Sequence, residues 1–114
     1  MSDAALSVFV FSIYLFITGL GFIFIPNILL STLKLPTTNE PWIRILGIVI
    51  AAMGFFYVIG AEYELSIFLW ATIVERYAIL ISFSLLVISK KAPAILIMFG
   101  IVDAICATWT MLVL

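Results

Sequence analysis

The sequence contains no histidine, one cysteine and few charges, with five basic and six acidic side chains in 114 residues. Without histidine, the chain lacks the commonest ligand of haem, zinc and copper and the commonest general base. Cys106 alone can form neither an internal disulfide nor a thiolate cluster. A formal net charge of −1 provides no basic surface for nucleic acid. We therefore expect no metal, no cofactor and no nucleic-acid partner.

Apolar residues fill most of the chain: 67% are hydrophobic, 10% are charged, and the mean hydropathy is +1.41. A soluble domain of this size could not bury so much apolar surface. A membrane-spanning helix needs about 20 mostly apolar residues, and four such runs occupy residues 5–25, 42–60, 65–89 and 94–114. The sequence predicts one all-α transmembrane domain over residues 1–114, with the lipid bilayer as a partner. The first run is unlike a signal peptide, because Asp3 stands where a basic residue is expected.

Each apolar run carries one stripe of small or polar residues at helical spacing. The four stripes are Ser7, Tyr14, Thr18 and Gly21; Arg44, Gly47, Ala51, Gly54 and Ala61; Thr72, Glu75 and Ser82; and Gly100, Asp103, Ala107 and Thr110. In lipid, small residues allow helices to approach closely and polar groups bind each other. The stripes predict an antiparallel four-helix membrane bundle with a polar seam. Within it, the packing residues are expected to be Gly47, Ala51, Gly54 and Gly100.

Glu75 and Arg76 lie near the midpoint of the third run. A charge at that depth costs at least about 2.5–3.5 kcal/mol, so it is expected to face protein and to have a partner. The third and fourth runs join near Lys91, which brings Asp103 within a turn of Arg76. The sequence therefore predicts a buried Arg76–Asp103 ion pair, since a guanidinium binds a carboxylate through two hydrogen bonds.

Glu75 is then the surplus acid of the seam, and we consider it the leading candidate for binding a ligand or a proton. Tyr14, Thr18 and Thr72 are the expected hydrogen-bonding neighbours, and the candidate site comprises these residues with Arg76 and Asp103. The alternative is that Glu75 only helps to hold Arg76 in place.

The charges of the connecting segments differ between the two sides. One side carries Lys34, Lys90 and Lys91, and the other carries Asp3, Glu62 and Glu64. By the positive-inside rule, loops 26–41 and 89–93 are expected to be cytoplasmic and both termini outside. Within the first loop, residues 28–35 have leucines at helical spacing, which fits either a short interfacial helix or a continuation of the first span.

Several features recur in the order known from one group of proteins. They are Pro26 at the end of the first span, Arg44-x-x-Gly47 opening the second with Gly54 a heptad on, Arg76 in the third and Asp103 in the fourth. In this order the chain resembles the small four-span bacterial membrane proteins of the DoxX-like type. The resemblance implies the architecture and no particular activity. The chain is also similar in size to the small multidrug transporters, but Tyr14 and Thr18 stand where those have a glutamate.

Three classes of function follow from these residues. The first is a protein that binds a lipid-like or small ligand, or an accessory subunit of a larger membrane complex. The alternative is a proton-coupled small-molecule transporter that works as an oligomer, because four spans in one copy are few for a transport path. A lipid-modifying enzyme, with Glu75 and Asp103 as acid and base, is the third and rests on two carboxyls alone.

Overall fold

The computed structural model describes residues 2–114, which fold as helices without a β-strand. The helices are α1 (Asp3–Phe24), α2 (Pro26–Thr32), α3 (Trp42–Glu62), α4 (Ser66–Ile88) and α5 (Ile95–Val113). All except α2 are long enough and apolar enough to cross a membrane. The predicted all-α fold class with four spans is therefore confirmed, and the chain is a multi-pass membrane protein.

Helix α1 begins beside a residue whose side chain accepts a free backbone N–H, and α2 begins at a residue that has no backbone N–H. At the start of α1, the Ser2 hydroxyl oxygen accepts the Ala5 N–H at 3.1 Å, which is an N-terminal cap. Pro26 opens α2, where its missing N–H leaves no intrahelical bond unmade. Ile25, at φ −133° and ψ 53°, separates α2 from α1. Much of the segment 28–35 thus belongs to a short helix of its own.

Helices α2, α3 and α4 are each followed, two residues after their last residue, by a charged residue with a left-handed backbone conformation. These residues are Lys34 at φ 59°, Glu64 at φ 51° and Lys90 at φ 60°. After α4, the Lys90 N–H donates to Val87 O at 3.0 Å and the next N–H, that of Lys91, donates to Leu86 O at 2.9 Å. This is a Schellman motif, which usually has glycine at the left-handed position. Because lysine or glutamate stands there, the sequence carries no glycine signal for these helix ends.

Lys90→Gly is expected to raise the free energy of unfolding by about 0.5–1 kcal/mol relative to Lys90→Ala. Glycine has no side chain to strain the left-handed backbone, and part of this gain is offset by its greater freedom in the unfolded chain. Both substitutions remove the same charge, so the comparison isolates the backbone effect. Reversible unfolding in mixed detergent micelles, followed by circular dichroism, measures the difference. Equal stability of the two variants would contradict the assigned backbone conformation.

The described chain consists of two compact units, and their boundaries fall within α1 and α3. The α4–α5 unit contains Gly60–Leu114 together with the N-terminal residues up to Val8. The α1–α3 unit contains Phe9–Ile59, which includes α2. Each unit has its own closely packed helix pair.

In the α1–α3 unit, α1 and α3 approach each other through glycine. A methyl group added to Gly19 would lie 2.7 Å from Gly47 O and 2.8 Å from Ala51 N. Further along, Gly54 faces Leu15, where an added methyl would lie 3.3 Å from the Leu15 Cβ. Residues nearer the end of α3 contact residues nearer the start of α1, so the two helices are antiparallel. The predicted packing residues Gly47, Ala51 and Gly54 lie along this contact, and Gly19 adds a position that the sequence stripes did not include.

In the α4–α5 unit, α4 and α5 are also antiparallel. Gly100, near the start of α5, faces Leu80, and Thr110, near its end, faces Arg76. An added methyl on Gly100 would lie 3.1 Å from the Leu80 Cα, so the helices are close at this predicted packing residue.

At the α3–α4 turn, the backbone N–H of Ser2 donates to the Glu64 carboxylate. This hydrogen bond lowers the pKa of Glu64 below its ordinary value. The contact therefore adds stability at neutral pH and is lost as the pH falls through the lowered pKa.

Candidate binding site in the α4–α5 unit

Arg76 is the largest wholly buried side chain of the described residues, with 0% of its surface exposed. Its Nε donates to the main-chain carbonyl of Thr72 at 3.0 Å, which lies one turn earlier on α4. Its Nη2 donates to the hydroxyl oxygens of Thr72 and Thr110, each at 3.1 Å. The guanidinium therefore joins α4 to α5 through hydrogen bonds to neutral oxygens, as expected of a charge withdrawn from lipid.

Thr110 extends this contact to α1. Its hydroxyl lies 2.5 Å from the hydroxyl of Ser7, which belongs to the same unit. The hydroxyls of Thr72 and Thr110 also donate to main-chain carbonyls one turn earlier in their own helices, and the Ser7 hydroxyl lies 2.6 Å from Ala4 O. All of these side chains are buried. We call Ser7, Thr72, Arg76 and Thr110 the Arg76 network.

Two acidic side chains flank this network. Glu75 on α4 and Asp103 on α5 are both partly buried, and their carboxylates lie within electrostatic range of one another and of Arg76. Thr110 lies seven residues beyond Asp103, which is about 10 Å along the axis of α5. The hydrogen-bonded end of the guanidinium is therefore closer to the end of α5 than Asp103 is. A direct Arg76–Asp103 ion pair stays a prediction.

An open, apolar groove runs along α5, on a face whose lining does not include Asp103. Its volume is about 300 Å³, and its lining residues are Leu80, Ile101, Ala104, Ile105 and Thr108. Thr108 supplies the polar side chain, and its hydroxyl lies 2.5 Å from the Tyr77 hydroxyl and donates to Ala104 O at 2.8 Å. The groove is at the lower end of the size range of small-molecule sites.

The predicted site residues divide between the two units. Thr72 and Arg76 are in direct contact, and Glu75 and Asp103 accompany them in the α4–α5 unit. Tyr14 and Thr18 belong to the α1–α3 unit, where both are half-buried and the Tyr14 ring lies 5.4 Å from that of Phe11. Their participation in a site with Glu75 stays a prediction.

Sequence reasoning did not assign Ser7 or Thr110 to the site, although both lie on the predicted stripes. Helical spacing identified the polar face of each helix. It did not show how each helix is rotated about its axis, or which residues of neighbouring helices lie at the same level. The Tyr77–Thr108 contact was missed for a different reason, because neither residue falls on a stripe.

Among residues 2–114, no group of three or more metal-ligating side chains lies close together. In comparison with known proteins, the chain matches no protein-family model, no curated protein and no solved structure.

Proposed function

We propose that this membrane protein binds a lipid-like or small amphipathic molecule, or serves as an accessory subunit of a larger membrane assembly, through the partly buried acids Glu75 and Asp103 and the groove on α5. The observation that carries the proposal is the division of the charges. Arg76 is wholly enclosed and hydrogen-bonded, whereas Glu75 and Asp103 are only partly covered. Arg76 is thus a fixed internal charge, and the acids are the groups that a ligand or partner can reach.

The groove supports an amphipathic ligand in particular. It is lined mainly by aliphatic side chains, and the Thr108 hydroxyl provides a polar group along its length. An apolar tail along α5 and a polar head group hydrogen-bonded to the Thr108 hydroxyl would match this surface. We also propose that the chain is related to the DoxX-like proteins. This relationship would account for the four-span architecture and specifies no reaction.

The first test is native mass spectrometry of the purified protein. We expect a bound small molecule on the wild type, and we expect Asp103→Asn and Ala104→Phe to lose most of it, because one removes the charge and the other fills the groove. Ala52→Phe, at an exposed position of α3 in the other unit, is the matched control and should retain it. A small molecule bound equally by all variants would overturn the ligand-binding proposal. A wild type without one, migrating within a larger assembly, would support the accessory role.

The alternative function is a proton-coupled transporter that works as an oligomer. Partial exposure of both Glu75 and Asp103 supports it, because each carboxyl can be reached by a proton. Proton-driven uptake into liposomes separates the two functions, since a binding or accessory protein shows none. Uptake that persists in Glu75→Gln would exclude a transport cycle dependent on Glu75.

A further inference from the structure

The cations of the α1–α3 unit lie at one end of the α1–α3 pair. Arg44 lies in the first turn of α3, and its Nη1 donates to the carbonyl of Ile23 in the last turn of α1. A positive charge is favourable there, because the C-terminal end of a helix is partly negative. The contact fixes the guanidinium at this end and leaves its other N–H groups for another acceptor.

Lys34 and Arg44 each stand next in the chain to a residue of one apolar cluster. Leu35 packs against an apolar cluster that includes Ile43, and Lys34 and Arg44 directly adjoin these two residues in the chain. The cluster core is Phe22, Leu30 and Ile43, so α2 is anchored across the ends of α1 and α3. The following loop is also fixed, because the Thr38 N–H donates to the Asn27 side-chain oxygen at 2.9 Å.

We call Lys34 and Arg44, the two cations of the α1–α3 unit, the basic pair. Both are exposed, and neither forms an ion pair with an acid of residues 2–114. Glu40 is the one acidic residue in Phe9–Ile59. Trp42 is the first residue of α3, and 52% of its surface is exposed. Tryptophan is enriched where membrane spans meet the lipid head groups. The basic pair is therefore located where a spanning helix meets the lipid head groups.

We propose that Lys34 and Arg44 bind the phosphate of an anionic phospholipid at this end of the α1–α3 pair. A guanidinium offers a fork of donors that matches phosphate oxygens, and the lysine adds a point charge. Basic residues beside a membrane are attracted to anionic lipids. The exposed side chains of Phe24 at the end of α1 and Ile28 of α2 provide apolar surface for the acyl chains. This site belongs to the α1–α3 unit, whereas Glu75, Asp103 and the α5 groove belong to the other unit, so it is independent of the proposed function.

The test is a titration of the purified protein with dioleoylphosphatidylglycerol and with dioleoylphosphatidylcholine, read by native mass spectrometry. The wild type is expected to prefer the anionic lipid, and Lys34→Gln should reduce that preference about fivefold. Lys90→Gln is the matched control, because it removes the same charge from the exposed α4–α5 turn. It should leave the preference unchanged.

Arg44→Lys retains the charge and loses the donor fork, so a reduced preference in this variant supports recognition of the phosphate. If Arg44→Lys fails to fold, Lys34→Gln still decides the question, since the exposed Lys34 side chain forms no hydrogen bond or ion pair within residues 2–114. An equal loss in Lys34→Gln and Lys90→Gln would show a general charge effect and overturn the site. Displacement of the lipid by inorganic phosphate alone would overturn the phospholipid as its ligand.

Discussion

Gly19→Ala is expected to lower the free energy of unfolding by about 1–3 kcal/mol, the usual cost of forcing extra volume into a packed contact. The added methyl would lie within 2.8 Å of Gly47 O and Ala51 N, which are main-chain atoms of α3. Main-chain atoms cannot move away by changing a rotamer, so the two helices must separate. Unfolding in mixed detergent micelles, followed by circular dichroism, measures the loss.

Gly21→Ala is the matched control, two residues along the same helix. An added methyl there meets the side chain of Leu29 alone, which can adopt another rotamer. Both substitutions change helix propensity equally, so their difference reports the contact with α3. Gly47→Ala should behave like Gly19→Ala, because its methyl would lie 2.6 Å from Gly19 O. If Gly19→Ala and Gly21→Ala are equally stable, the close approach of α1 and α3 is wrong.

Thr110→Val is expected to lower the free energy of unfolding by about 1.5–3 kcal/mol, the range for a hydrogen bond to a charged group. Valine retains the shape of threonine but removes the oxygen that accepts Arg76 Nη2 at 3.1 Å and contacts the Ser7 hydroxyl at 2.5 Å. The guanidinium loses an acceptor at a position with 0% exposure, where no solvent can replace it.

Thr108→Val is the control for this prediction, because Thr108 lies on the same helix and contacts the neutral hydroxyl of Tyr77. Its expected cost is about 0.5–1.5 kcal/mol, that of a neutral hydrogen bond. The same micelle unfolding measurement compares the two variants. A cost for Thr110→Val no greater than that for Thr108→Val would show that the acceptor of Arg76 contributes little.

A double substitution separates the charge from the packing around it. In the background of Arg76→Met, an apolar side chain of similar length, Thr110→Val should cost less than half of its value in the wild type. Without the guanidinium, the substitution at Thr110 leaves no buried charge short of an acceptor and only replaces one neutral group by another. An unchanged cost in that background would assign the effect to the Ser7–Thr110 contact instead.

The candidate site could be predicted from the sequence only in part. The position of Arg76 in an apolar run required a protein environment, because a charge facing lipid is costly, and its complete burial agrees with that requirement. The identity of its partners did not follow. The sequence predicts a carboxylate partner, Asp103, which stays a prediction, and it did not indicate the hydrogen bonds to Thr72 and Thr110. Hydroxyl groups are weaker sequence signals than acids, since threonine is common in apolar helices for reasons of packing alone.

The sequence by itself determined that the chain is all-α and that four helices can cross a membrane, because hydrophobic length and helical spacing are local properties. The tertiary structure alone decided which polar residues meet. Helix rotation, axial register and the closest approach at Gly19 and Gly47 depend on how side chains of separate helices fit together. A stripe on one helix does not contain that information, because the same stripe can meet a neighbouring helix at several depths.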